Sequence, residues 1–157
     1  RLAATALPRW LLVAGRAVAG LVVVAVQLVV LGVVAAVLGW SPSPAGLGWT
    51  VLLAVLGTLS FGALGVLVGG ALKAEVVLGL ANIVWFVLLL GGGILVPPDS
   101  MPGVLGDIVR LLPSGALTDG MHTALVDGGV PDWSVFAVLA GWGAAATLAA
   151  TRTTKLS

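Results

Sequence analysis

Hydrophobic positions along the chain fall into four long runs, separated by short polar or proline-rich breaks. Ala17 to Leu38 holds 22 residues, and Gln27 is its one strongly polar side chain. Trp49 to Leu72 holds 24, interrupted only by Thr and Ser hydroxyls. Val76 to Val96 holds 21 with Asn82 as the polar exception, and Trp133 to Ala150 holds 18. A bilayer core about 30 Å thick is crossed by roughly 20 apolar residues in a helix. Valine is abundant in these runs and favours strands in water, but a lone strand in lipid leaves its backbone unpaired, so helix wins. The runs also lack the period-2 alternation of a membrane barrel. The pattern predicts an all-α, polytopic helical membrane protein with transmembrane helices over 17–38, 49–72, 76–96 and 133–150.

The breaks differ in kind. Gly39 to Gly48 is a short turn-rich loop, and Lys73-Ala74-Glu75 is a tight polar turn. Residues 97–131 form a long link. Pro97-Pro98 ends the third run, because proline lacks the donor that a helix requires. Val104 to Leu112 is apolar but too short to span, and carries Asp107 and Arg110. Pro113 breaks it. Ser114 is positioned to N-cap a second short helix through about Val126, with Gly128-Gly129 at its end. Two short half-apolar helices joined at a proline predict an extracytoplasmic re-entrant hairpin over 97–131; an amphipathic loop lying on the membrane surface is the alternative.

Charge gives the runs a direction. Only 8% of residues are charged and mean hydropathy is +1.22, against about 25% charged in a soluble domain. Such a chain cannot cover a water-facing surface. Arg1, Arg9 and Arg16 precede the first run, Lys73 separates the second and third, and Arg152 and Lys155 follow the fourth. With four crossings these places share one side. Basic loops stay cytoplasmic, so both ends of this sequence are expected in the cytoplasm of a multi-pass protein of the cell membrane. Asp99, Asp107, Asp119, Asp127 and Asp132 fall on the opposite side with Arg110. Trp40, Trp49 and Trp133 fall at the outer boundary, where amphipathic rings settle. The sequence opens on Arg1 without a cleavable leader pattern, which predicts a piece of a longer chain.

Candidate chemistry is sparse. Neither lysine follows a glycine-rich loop, so no nucleotide-binding motif is present. There is no cysteine, which removes thiol catalysis and thiolate metal sites. No metal site is expected. His122, the one histidine, has no cysteine partner and reads as an interfacial polar residue. Asp127 and Asp132 suit either an acid–base pair or, more simply, a solvated loop. A net charge of +1 leaves no nucleic-acid footprint. The four runs carry no ionisable side chain, which argues against a proton-coupled transporter. Gln27 and Asn82 either line a pathway or hydrogen-bond between helices, a contact worth about 0.6–2 kcal/mol. Gly65 with Gly69, and Ala137, Gly141, Ala145 and Ala149, form small-residue faces for close packing against another helix of this chain or a second subunit. Gly91, Gly92 and Gly93 followed by Pro97 and Pro98 make a candidate outer gate: each glycine weakens a helix by about 1 kcal/mol relative to alanine. Close packing of the hairpin against the missing side chains is the other reading of the same glycines.

Several of these features occur together in one family. Ala81-Asn82, Leu88-Leu-Leu-Gly-Gly-Gly-Ile-Leu-Val-Pro-Pro98, Met101-Pro102 and Leu111-Leu-Pro-Ser114 resemble the closing half of type-2 ABC exporter permeases. The nearest look is the daunorubicin-resistance type. The opening Arg1-Leu-Ala-Ala-Thr-Ala-Leu-Pro-Arg-Trp10 resembles the cytoplasmic stretch before the third of that family's six spans. The resemblance covers essentially the whole chain, which would be a single permease domain without the family's first two spans, and Ala6 stands where the family often has proline. It implies a membrane subunit, not an enzyme, with ATP and Mg held by a partner ATPase and no cofactor on this chain. It implies a second permease copy, identical or not, in contact with membrane lipid. It implies export of hydrophobic or amphipathic compounds; export of lipid-linked or polysaccharide substrates and a non-transporting membrane scaffold are the alternatives. It places an ATPase-coupling element within 1–16, at Arg1, Leu2, Leu7, Arg9 and Trp10, where a basic, Trp-tipped surface anchor is the competing reading.

The absence of native cysteine makes the predicted sidedness testable. Cysteine at Ser43 or Ser114 is expected to react with an impermeant thiol reagent in intact cells, and cysteine at Ala74 only after permeabilisation. Labelling of Ala74→Cys in intact cells would overturn the assignment.

Overall fold

The computed structural model describes residues 9–91 and 103–153. They form six helices, α1 (Arg9–Val37), α2 (Pro44–Ala71), α3 (Ala74–Gly91), α4 (Val104–Leu111), α5 (Pro113–Leu125) and α6 (Trp133–Thr153). No strand occurs among the described residues. Three segments are long and apolar enough to cross a membrane: Ala14–Val37, Pro44–Gly70 and Trp133–Arg152. Glu75–Leu89 is a shorter apolar helix. The third hydrophobic run, 76–96, is therefore helical as far as Gly91, and its remainder lies outside the described residues.

Local sequence sets the helix ends. Gly39, at φ +87°, closes α1. Trp40 N–H donates to the Ala35 carbonyl and Gly39 N–H to that of Ala36, the paired bonds of a glycine-terminated helix. Ser43 caps α2: its hydroxyl accepts from Gly46 N–H at 3.0 Å, and Pro44 takes the first helical position, where its missing donor costs nothing. Glu75 sits in the first turn of α3, favourably placed toward the positive helix end.

Contacts between helices fix their directions. The Trp49 and Phe136 rings lie 5.8 Å apart, and the Ser60 hydroxyl donates to the Leu139 carbonyl at 2.6 Å. Helices α2 and α6 therefore run parallel. The short loop after Val37 turns α1 back along α2, bringing Gly20 beside Thr58. The start of α1 and the ends of α2 and α6 share one end of the bundle. Lys73 and Arg152 gather at that end and Arg16 lies toward it, while Asp127 and Asp132 lie at the other. For these five residues the two ends of the bundle match the grouping read from the sequence.

Helices α4 and α5 pack against α2 and α6. Descending α5 from its far end, Ala124 meets Gly46, Gly120 meets Leu53 and Leu117 meets Gly57. Gly57 is near the midpoint of α2, so the α4–α5 turn lies level with the middle of the long helices. Leu53, Ala116, Val135 and Leu139 form the buried centre, with Leu56, Leu117, Met121, Phe136 and Val138 around it. Side chains on Gly57 or Gly120 would press within 2.9 Å of Leu117 or Val135. Glycine lets α5 lie this close to α2 and α6.

One expectation changes. Ser114 does not cap α5: Pro113 presets the helical φ and starts the helix one residue earlier, with Leu112 at the N-cap. Ser114 is then inside the first turn, 6% exposed, and its hydroxyl has no hydrogen-bond partner. It is not the outward-facing position assumed for labelling. The small-residue faces at Gly65, Gly69 and Gly141 meet no other described helix of this chain, which leaves a second subunit as their partner in the sequence reading. Added side chains on Gly65, Gly69 or Gly141 would meet nothing within 4 Å. The face of α6 that packs is Val135, Leu139, Gly143 and Ala146.

Gly115 tests the hairpin directly, because a side chain there runs into the Val109 carbonyl across the α4–α5 turn. Gly115→Ala should destabilise the detergent-solubilised protein by about 1–3 kcal/mol, the usual cost of overpacking. Gly65→Ala should leave stability level or raise it by up to about 1 kcal/mol through helix propensity. Equal melting temperatures for the two variants would contradict this packing.

Candidate functional site

A turn at this depth must satisfy its own backbone. Carbonyls at the end of α4 have no next turn to accept from. Leu112 N–H donates to the Val109 carbonyl at 3.1 Å, and Ala116 N–H donates to that of Leu112 at 2.9 Å. The Leu111 carbonyl is met from outside the hairpin, by the Trp142 indole N–H of α6 at 2.8 Å. Trp142 thus ties the hairpin to α6, as Ser60 ties α2 to α6. Neither residue stands out in the sequence as a site. The available signal was positional: Trp142 lies mid-helix, away from the boundaries where the other outer tryptophans fall.

Beside the hairpin, α1, α2 and α5 border a shallow, open lateral groove of about 640 Å³. Val23, Leu31, Phe61 and Met121 contribute apolar wall, and Gln27 and Thr58 contribute polar atoms. The Thr58 hydroxyl donates to the Ala54 carbonyl of its own helix at 2.7 Å. The Gln27 carboxamide has no hydrogen-bond partner among the described residues. No ionisable side chain lines the groove. Asn82, the second polar exception, donates to the Leu78 carbonyl one turn back at 3.1 Å on an exposed face of α3, and is not part of the groove.

The loop-end polar residues take separate roles. The His122 Nδ1 lies 3.4 Å from the Asp127 carboxylate, both side chains being well exposed. Asp132 accepts from Ser134 N–H at 2.8 Å at the start of α6. Hydrogen bonds from the Ser134 side chain and then its backbone hold the Asp132 carboxyl below the usual carboxylate range. Asp127 and Asp132 therefore serve different partners. No group of three or more metal-binding side chains occurs among the described residues. Of the coupling candidates, Arg9 and Trp10 occupy the first turn of α1, and Arg1, Leu2 and Leu7 lie outside the described residues. Gly91 is the last residue of α3; Gly92, Gly93, Pro97 and Pro98 also lie outside them.

The profile of the ABC-2 family transporter proteins matches residues 1–152. YvfS of Bacillus subtilis (strain 168), whose name describes a transport permease, is 38% identical over 85 residues. That match covers 54% of this chain and 34% of YvfS, so the aligned part spans about a third of the relative's own length. No solved structure matches the chain.

Proposed function

Because the chain belongs to the ABC-2 family of transporter proteins, we propose that it forms the membrane pathway of an ATP-driven exporter for hydrophobic or amphipathic compounds. The carrying observation is that the family match runs through every described helix, on a chain without a nucleotide-binding motif. The energy comes from the ABC ATPase with which such permeases work, which holds ATP and Mg. The chain does no bond chemistry of its own. A second permease copy completes the pathway, and alternating access between the copies moves the substrate.

In this reading α1, α2, α3 and α6 cross the membrane, with α3 continuing beyond Gly91. Parallel α2 and α6 support that count, since the chain must return to the starting end of α2 before α6 begins. The basic end faces the cytoplasm, and α4–α5 is a re-entrant hairpin entered from outside. An apolar, uncharged groove beside that hairpin suits amphipathic cargo. The first turn of α1 carries Arg9 and Trp10 at the basic end, in position to transmit movement of an ATPase docked below.

The test uses the full-length permease with its ATPase in proteoliposomes. Arg9→Glu should lower substrate-stimulated ATP hydrolysis about tenfold while membrane insertion stays intact, as loss of a charge-assisted contact of about 1.5 kcal/mol implies. Unchanged stimulation would favour a surface anchor over a coupling element.

A further inference from the structure

The hairpin carries charge to an unusual depth. Trp142, whose indole N–H meets the Leu111 carbonyl at 2.8 Å, stands 9 residues after Trp133 and 10 before Arg152 in the last long apolar segment. In the re-entrant arrangement Arg110, next to Leu111, therefore lies near mid-membrane. At about 3.6 residues per turn α4 has three distinct sides. Gly106 and Val109 are buried on one, where the Val109 carbonyl lies against Gly115 of α5. Val104, Ile108 and Leu111 are more than half exposed on the opposite side and suit lipid. Asp107 and Arg110 share the flank between these two, and both are exposed. Charged groups at such depth turn to the protein interior or to water, because hydrocarbon gives them no solvation. Asp107, one turn before Arg110, offsets its charge, but the pair still has to be solvated. A protein neighbour over this flank would strip water from both charges, a loss that often exceeds the attraction regained. Water is the neighbour that costs least.

We propose that the Asp107–Arg110 flank of α4 lines a water-filled vestibule that opens to the outer side and ends near mid-membrane, beside the hairpin turn. The inference rests on the re-entrant reading and goes beyond it: the hairpin is one wall of a wet path, the outer part of the route by which an exported compound leaves. The wall is narrow. Ile108 and Leu111, on the neighbouring side of the same helix, stay in lipid, and Val109 stays in the protein. Trp142 fixes the floor of the vestibule, because its bond to Leu111 sets the depth at which Arg110 is held.

The experiment uses the full-length permease in intact cells, with single cysteines introduced in turn. A small cationic methanethiosulfonate added outside should modify Arg110→Cys and Asp107→Cys at rates comparable to Asp127→Cys, whose native side chain is 58% exposed. Ile108→Cys, on the apolar side, should react about a hundredfold more slowly, the penalty for bringing a cation into hydrocarbon. A maleimide carried on a long polyethylene glycol should modify Asp127→Cys alone, being too wide for the vestibule. Labelling is scored on inserted protein whose melting temperature is unchanged. Arg110→Cys and Asp107→Cys probe the flank independently, so a variant that fails to insert still leaves the other to decide. Slow reaction with the small reagent at both positions would overturn the vestibule and leave the re-entrant reading standing. Ile108→Cys reacting as fast as Arg110→Cys would overturn the confinement of water to this flank. Full reaction of Arg110→Cys and Asp107→Cys with the bulky reagent would put α4 at the membrane surface, defeating the re-entrant reading and the vestibule with it.

Discussion

A backbone carbonyl placed in hydrocarbon has to find its donor within the protein, and in the proposed re-entrant arrangement this rule bears on the α4–α5 turn. Long helices meet it automatically, since their bonds close within each segment. Two short helices do not, and each of their ends exposes unmet groups. Here the turn closes on itself at Val109 and Leu112, and borrows one donor from Trp142 for Leu111. Parallel α2 and α6 hold the hairpin from two sides, and glycines at the crossings bring the backbones close enough to do so. The apolar surface around this unit is extensive: Val22, Val26, Val29 and Val33 of α1 are all more than half exposed, as suits a lipid-facing helix and no water-facing one.

Much of this was legible in the sequence because hydrophobic run length is a direct consequence of bilayer thickness. The long helices, the turn at Gly39 and the break at Pro113 all follow from local chemistry, whereas Ser43 and Pro44, read as loop, cap and start α2. The facing of each helix does not follow from local chemistry. Small residues at Gly65, Gly69 and Gly141 look like a packing stripe, yet the working contacts use Gly46, Gly57, Gly120 and Gly143, which form no continuous motif. Which glycine is needed depends on where another element crosses, and that is a property of the whole fold. Ser114 misled for a related reason: a proline before it took over the start of the helix, leaving the hydroxyl buried.

The candidate site was only half legible. Gln27 and Asn82 were equal as polar exceptions in apolar runs, and the structure separates them. Asn82 bonds its own helix on an open face, whereas Gln27 points into a groove that three helices build. An amide satisfied one turn back is chemically quiet.

Insertion of the hairpin to mid-depth is the claim on which the rest stands, and paired cysteines in this cysteine-free chain measure it most directly. With a protease site placed between α3 and α4, the Gly57→Cys/Leu117→Cys protein is oxidised in native membranes and then cleaved. The account predicts that the two fragments stay joined until a reductant is added, because Leu117 packs on Gly57 at the middle of α2. Fragments that separate without reductant, while a Gly46→Cys/Leu117→Cys pair links instead, would place the hairpin at the membrane surface and contradict it.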